Sequence, residues 1–156
     1  VANQMFNEGL GQVAGWARQI NNNEPANSAI IIAAWNTSAT DATIKDLNLV
    51  SELEAEVNTA EVTNAGYARK QLTDTGGLTV TVDETNDRVD VDCPDQTWTA
   101  VAAGSAWTDL GFHFDRDTAA GTDANIINGT WHDFVVTPDG SDITAQIATA
   151  GFFRAA

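Results

Sequence analysis

Two histidines, one cysteine and a dense set of carboxylates are the residues of this 156-residue chain with the types to do chemistry. His132 precedes Asp133 directly, as two members of a nucleophilic triad could. Neighbours on a strand point to opposite faces, so this pair cannot hydrogen-bond side by side in regular β structure. No G-x-S-x-G elbow supplies a nucleophile. Zinc would need His or Cys ligands at short spacings, and neither H-x-x-x-H nor C-x-x-C occurs. His113 sits between Phe112 and Phe114, and both histidines read as structural. Cys93 continues an apolar face with Val89 and Val91, which predicts a buried, inert thiol.

Oxygen ligands crowd two stretches. Asp83, Glu84, Asn86, Asp87, Asp90, Asp92 and Asp95 form one; Asp115, Asp117 and Asp123, around Gly121, form the other. Ca²⁺ takes six to eight oxygens, but the D-x-[DN]-x-[DN]-G order of an EF-hand is missing. Both stretches read as turns with outward carboxylates, where Ca²⁺ would be adventitious; no cofactor is expected. Paired carboxylates for glycosidic chemistry would need a cleft that the sequence does not place. No glycine-rich loop has P-loop or dinucleotide spacing. Trp98, Trp107 and Trp131 would suit sugar stacking if exposed, although the core is the default site for an indole. Arg69-Lys70 is the only adjacent pair of bases. Pairing with nearby carboxylates is its first reading, and contact with a partner its second.

The elements that position these residues follow from periodicity. Asn3 is a candidate N-cap, and Phe6, Leu10, Val13, Ala17 and Ile20 recur at spacings of four and three. That predicts one helix of about four turns at roughly 3.6 residues each. Gly9, Gly11 and Gly15 weaken it by about 1 kcal/mol each. Residues 29–35 form a continuous apolar run, as in a strand covered on both faces. Ile44, Leu47, Val50, Leu53 and Val57 predict a helix over 43–57 with a break near Asn48, capped by Thr40 or Asp41.

From residue 66 onward, short runs alternate with turn signals. Strands are expected at 66–72, at Leu78, Val80 and Val82, at 89–93 and at 96–103. Further strands follow around Trp107 to Phe114 with a bulge near Leu110, at 130–137, and at 143–149 before an aromatic close. The chain is long enough for one domain, 1–156, without a disulfide. The expected fold is α+β, mainly β: an antiparallel sandwich or jelly-roll-like barrel over 66–156, with residues 1–65 as a helical or mixed cover.

Charge limits the partners. Twenty-two acids against seven bases give a net charge of −15. Such a surface repels phosphate, so direct nucleic-acid binding is not expected, and neither is packing on anionic membrane. No run reaches the ~18 apolar residues of a membrane span. No signal peptide opens the sequence, and Val1 fits removal of an initiator methionine.

The stretches GYARKQLT (66–73), TNDRVDVDCPDQTWTAV (85–101) and TPDGSDITAQIATAGFF (137–153), with the opening ANQMFNEG (2–9), resemble a group of small virion proteins of tailed bacteriophages. These are described as virion structural, minor capsid or head-decoration proteins. The resemblance implies a non-enzymatic decoration or cement protein on the outside of the head shell, made in the host bacterial cytoplasm. Its partners would be the major capsid protein and further copies of itself. A contact patch is expected around Val1 to Phe6 and the Arg69-Lys70 strand, with Val1, Phe6, Arg69 and Lys70 as its residues. The alternatives are a tail, baseplate or fibre module with host-glycan binding through exposed tryptophan, and a hydrolase using Asp/Glu pairs.

Overall fold

The computed structural model of the chain describes residues 2–7 and 9–156. In chain order its elements are β1 (Gln4–Met5), α1 (Val13–Asn21), β2 (Ala29–Thr37), α2 (Asp41–Lys45), α3 (Val50–Ala55), β3 (Thr59–Glu61), β4 (Lys70–Leu72), β5 (Thr79–Asp83), β6 (Arg88–Asp92), β7 (Gln96–Trp98), β8 (Trp107–Asp115), β9 (Ile127–Val136), β10 (Ile143–Ala145) and β11 (Phe153–Ala155). The protein is mainly β, with antiparallel sheets packed together, as the sequence predicts.

Strand β2 is the centre. Its first seven residues are all buried, and no side chain among them carries a charge. β8 runs antiparallel beside it from Ala29 opposite Asp115 to Trp35 opposite Asp109. β9 lies beyond β8, and β1 adds two residues to the outer side of β9. On its other side β2 pairs first with β4 and then with β3. The register slips between Trp107 and Asp109 and again between Phe112 and His113, close to where the spacing of bulky residues predicts a bulge.

Because successive side chains point to opposite faces, β2 serves two cores. Ile30, Ile32 and Ala34 face Val13, Trp16, Ala17 and Ile20 of α1, together with residues of two small sheets. Those sheets are the three-stranded β11-β6-β5 and the ribbon β10-β7. Ala29, Ile31, Ala33 and Trp35 face Phe6, Ile44, Val50, Leu53, Ile126 and Trp131.

The N-terminal segment departs from the expected helix. Asn3 caps nothing; its Oδ1 accepts the Asp133 amide at 2.7 Å and fastens β1 to β9. Gly9 presses on Gly129, where an added Cβ would stand 2.5 Å from a backbone oxygen, and Gly11 has φ +76°. Only after this turn can a helix start, so α1 begins at Val13. Phe6 belongs to one core and Val13 to the other, while Leu10 is 60 % exposed.

The second helical stretch does break, into α2 and α3. Thr40 caps α2 by accepting the Thr43 amide. Glu52 turns back to accept the amides of Asn48 and Leu49, which holds the start of α3. Val57 falls outside α3 and is exposed. Three expected strands are shorter than predicted. Residues 64–67 form a turn before β4. Ala100, at φ 50°, lies beyond the end of β7. Asp95 takes the Ile147 amide at 2.8 Å, past the end of β10.

This arrangement leaves Leu10, which a continuous helix would bury, unlike a core residue of β2. Ile32→Ala is expected to cost about 2–5 kcal/mol, since Ile32 is fully buried in the larger core. Leu10→Ala is expected to change stability by no more than about 0.5 kcal/mol. Urea midpoints of the two variants check this; a Leu10 cost near that of a core residue would restore the long helix.

Candidate functional site

The densest polar constellation is built around Arg69, just before β4. Its Nε donates to Glu61 Oε1 at 2.9 Å and Oε2 at 3.0 Å, and its Nη2 donates to Oε2 at 2.5 Å. Glu61 comes from β3, so this fork joins the two strands that flank β2 on one side. The same guanidinium bonds Asp123 through Nη1, and reaches Asp123 Oδ2 and Glu54 Oε1 at 3.2 Å each. Tyr67 completes the group: its hydroxyl donates to Glu61 Oε1 at 2.6 Å and accepts the Ala34 amide at 3.0 Å. The site therefore ties α3, β2, β3 and the loop before β9 around one cation.

The electrostatics agree with that role. Hydrogen bonding to Glu61 raises the Arg69 pKa, and burial works against it. Hydrogen bonding to Arg69 lowers the Asp123 carboxyl. Glu54 is raised by burial and by Asp123 beside it. Burial, then the Glu61 charge, pushes the Tyr67 hydroxyl up. This is a charge-assisted clamp with planar, forked geometry. Pairing with carboxylates, the first reading of Arg69, is what the structure shows.

The expected contact patch changes accordingly. Phe6 has no exposed surface; its ring meets Trp131 edge-on at 5.7 Å. The sequence places Phe6 in a contact patch at the N-terminal arm, but the second face of β2 takes it as core. Arg69 already faces three carboxylates. Lys70 is half-buried, with its ammonium 5.4 Å from the centre of the Trp98 ring. Val1 lies outside the described residues.

His113 is enclosed and His132 is half-buried. His113 is fully buried between Phe6 and Trp35, with ring centres 6.3 Å and 6.0 Å away. Its ring folds over Gly111, where an added Cβ would stand 2.2 Å from Nε2. Burial depresses its pKa to about 3, with Asn128 pulling the other way. His132 packs edge-on against Phe112 at 5.1 Å, and its Nε2 lies 2.9 Å from Thr130 Oγ1. Burial lowers it to about 4. It lines a cleft of about 370 Å³ with Leu110, Phe112, Phe134, Ile147 and Phe152. Asp133, next in sequence, pairs in register with Asp109, whose carboxyl burial raises.

The carboxylate-rich stretches are occupied locally. Asp83 accepts from Thr85, from Asn86 and from Arg88, and the Asn86 side chain leads the lowering of its pKa. Asp90 is lowered chiefly by its hydrogen bond from Arg154. Asp115 and Asp117 accept the Asp117 and Ala119 amides. Among the described residues, no three His, Cys, Asp or Glu side chains converge as a metal site. Cys93 is buried, and burial pushes its thiol up to about 12. All five tryptophans are buried.

Sequence spacing gave no route to Glu54, Glu61 and Asp123 as partners of Arg69, since the farthest lies 54 residues away. The one available signal was a lone basic pair in an acidic chain. Among the described residues, no helix is long and apolar enough to cross a membrane. Compared with known proteins, the chain matches no family, no curated protein and no solved structure.

Arg69→Ala should cost about 2–4 kcal/mol, because it leaves Glu61 and Asp123 facing each other without their cation. Lys70→Ala should cost less than about 1 kcal/mol, the scale of an exposed cation–π contact. Chemical denaturation of both variants is the check; equal effects would reduce the clamp to an ordinary surface ion pair.

Proposed function

We propose that this protein is a non-enzymatic structural component of a tailed-bacteriophage virion, acting as a decoration or cement protein on the outer surface of the head shell. The observation that carries the reading is how its chemically capable side chains are placed. Arg69 clamps strands, His113 fills a core, Cys93 is buried, and Asp83, Asp90 and Asp123 hold turns or arginines. Side chains committed in this way support a scaffold that acts through its surface. The net charge of −15 suits a protein that faces solvent and meets a basic partner surface. The resemblance of the stretches at 2–9, 66–73, 85–101 and 137–153 to small virion proteins points the same way.

The partners under this reading are the major capsid protein and further copies of the chain. Of the three described residues expected to meet the shell, Lys70 alone keeps a side chain that a partner could touch without dismantling core or clamp. Burial of all five tryptophans takes away the exposed indole row that glycan stacking by a tail or fibre module would use.

Electron cryomicroscopy of particles that contain the chain tests the proposal. Copies distributed over the whole head lattice are expected. Density confined to the tail, or a chain absent from purified particles, would contradict it.

A further inference from the structure

Strand β5 ends its sheet, paired with β6 on one side and, among the described residues, with no strand on the other. Natural edge strands are guarded by proline, by lysine, by an inward-pointing charge or by a bulge. β5 has no proline, lysine or bulge, and its one charge, Asp83, stands at its last residue. Its sequence is Thr-Val-Thr-Val-Asp, and its register with β6 runs unbroken from Thr79 opposite Asp92 to Asp83 opposite Arg88. Thr79, Thr81 and Val82 are exposed, Val82 by 54 %. By contrast, the outer side of β9 past β1 is closed at Asp133, whose amide Asn3 takes.

From this we infer that β5 is a homodimer interface, in which two copies join edge to edge as antiparallel strands about a two-fold axis at Thr81. The edge is complementary to itself. With Thr81 opposite Thr81 of the second copy, Val80 stands opposite Val82, and Thr79 opposite Asp83. Opposed residues share a face, so the half-bare Val82 of each copy gains an apolar neighbour on the core side. The shallow hollow of about 460 Å³ beside it, lined by Val82, Val89 and Ala155 together with Asp83, Glu84, Asp87 and Arg88, lies on the same ledge.

Charge selects a second copy here. Two copies carrying −15 each repel, so they can close only where the surface is locally neutral. β5 carries one acid, Asp83, which Arg88 and Asn86 already hold. In the proposed register the two Asp83 residues lie at opposite ends of the paired strands. A basic partner strand, the obvious competitor in so acidic a protein, would find free carboxylates only at Glu84 and Asp87, in the turn beyond the strand, and none along β5 itself. The pairing supplies an interface for the self-association proposed above but needs nothing of the shell. A monomeric result would remove it and leave shell binding to be judged by the particle images.

Sedimentation and light scattering on the purified protein test the inference. The wild type should show twice 16.5 kDa at about 100 µM, and the dimer should tighten as salt screens the net charge. Thr81→Lys and Thr81→Glu each put like charges face to face across the axis and should be monomeric at that concentration, with wild-type thermal melts read at dilutions where all are monomers. Mixing the two variants should restore the dimer. A monomeric wild type, a dimeric T81K, or a mixture that stays monomeric would each overturn the inference.

Discussion

The structure depends on a strand that must be dry on both faces. β2 runs from Ala29 to Trp35 without an exposed residue. An open antiparallel sheet can leave one face wet; with isoleucines on both sides, β2 cannot. Two covers are therefore required, and the chain builds them from different material. α1 and the two small sheets close one face, and Phe6, α2, α3 and Ile126 close the other. The short helices have little stability of their own. They persist because Ile44, Val50 and Leu53 are buried in the second core.

That demand also accounts for the polar groups. The edge of β2 away from β8 is held by β3 and β4, strands of three residues each, too short to be secure on backbone hydrogen bonds alone. The Arg69 fork to Glu61, with Asp123 and Glu54 behind it, links these strands to the α3 side of the molecule. Trp107 and Trp98 serve the other side. The Trp107 indole donates to Asn64 at 3.1 Å and the Trp98 indole to the Ala68 carbonyl at 2.8 Å, so each buried ring also pins a loop. The second core is less tidy. The indole N–H groups of Trp35 and Trp131 and the Asp109 carboxylate are buried there without a hydrogen bond of good geometry, though Thr108 and Trp131 lie close enough to Asp109 to oppose the rise that burial gives its carboxyl.

Much of this was legible in the residues. The apolar run of β2 announced a doubly covered strand, and the alternation of Val89, Val91 and Cys93 with aspartates announced β6. Thr40 and the break near Asn48 were readable from capping and spacing. The N-terminal helix was not. Phe6, Leu10 and Val13 fit one helical face by count, and periodicity cannot distinguish one face from two cores plus an exposed turn. The clue was present in Gly9 and Gly11, which serve close approach and positive φ. The clamp around Arg69 was hidden for another reason. Its carboxylates come from three segments that only the finished sheet brings together, so pairing of Arg69 was readable from the residues but its partners were not.

The two-sided burial of the central sheet is tested most directly at His113, one strand away from β2. Its pKa of about 3 lies below the ordinary 6.5 because its surroundings exclude water. Between those values the unfolded chain binds a proton that the folded chain does not. Stability is therefore full above pH 6.5 and falls as pH is lowered toward 3, by at most about 1.4 kcal/mol per pH unit from this residue. NMR titration of the folded protein should find the His113 imidazole neutral from pH 7 to 5, while the stability of His113→Gln loses that part of its pH dependence. A His113 ring that titrates near 6.5 in the folded protein would place water in the second core and contradict the account.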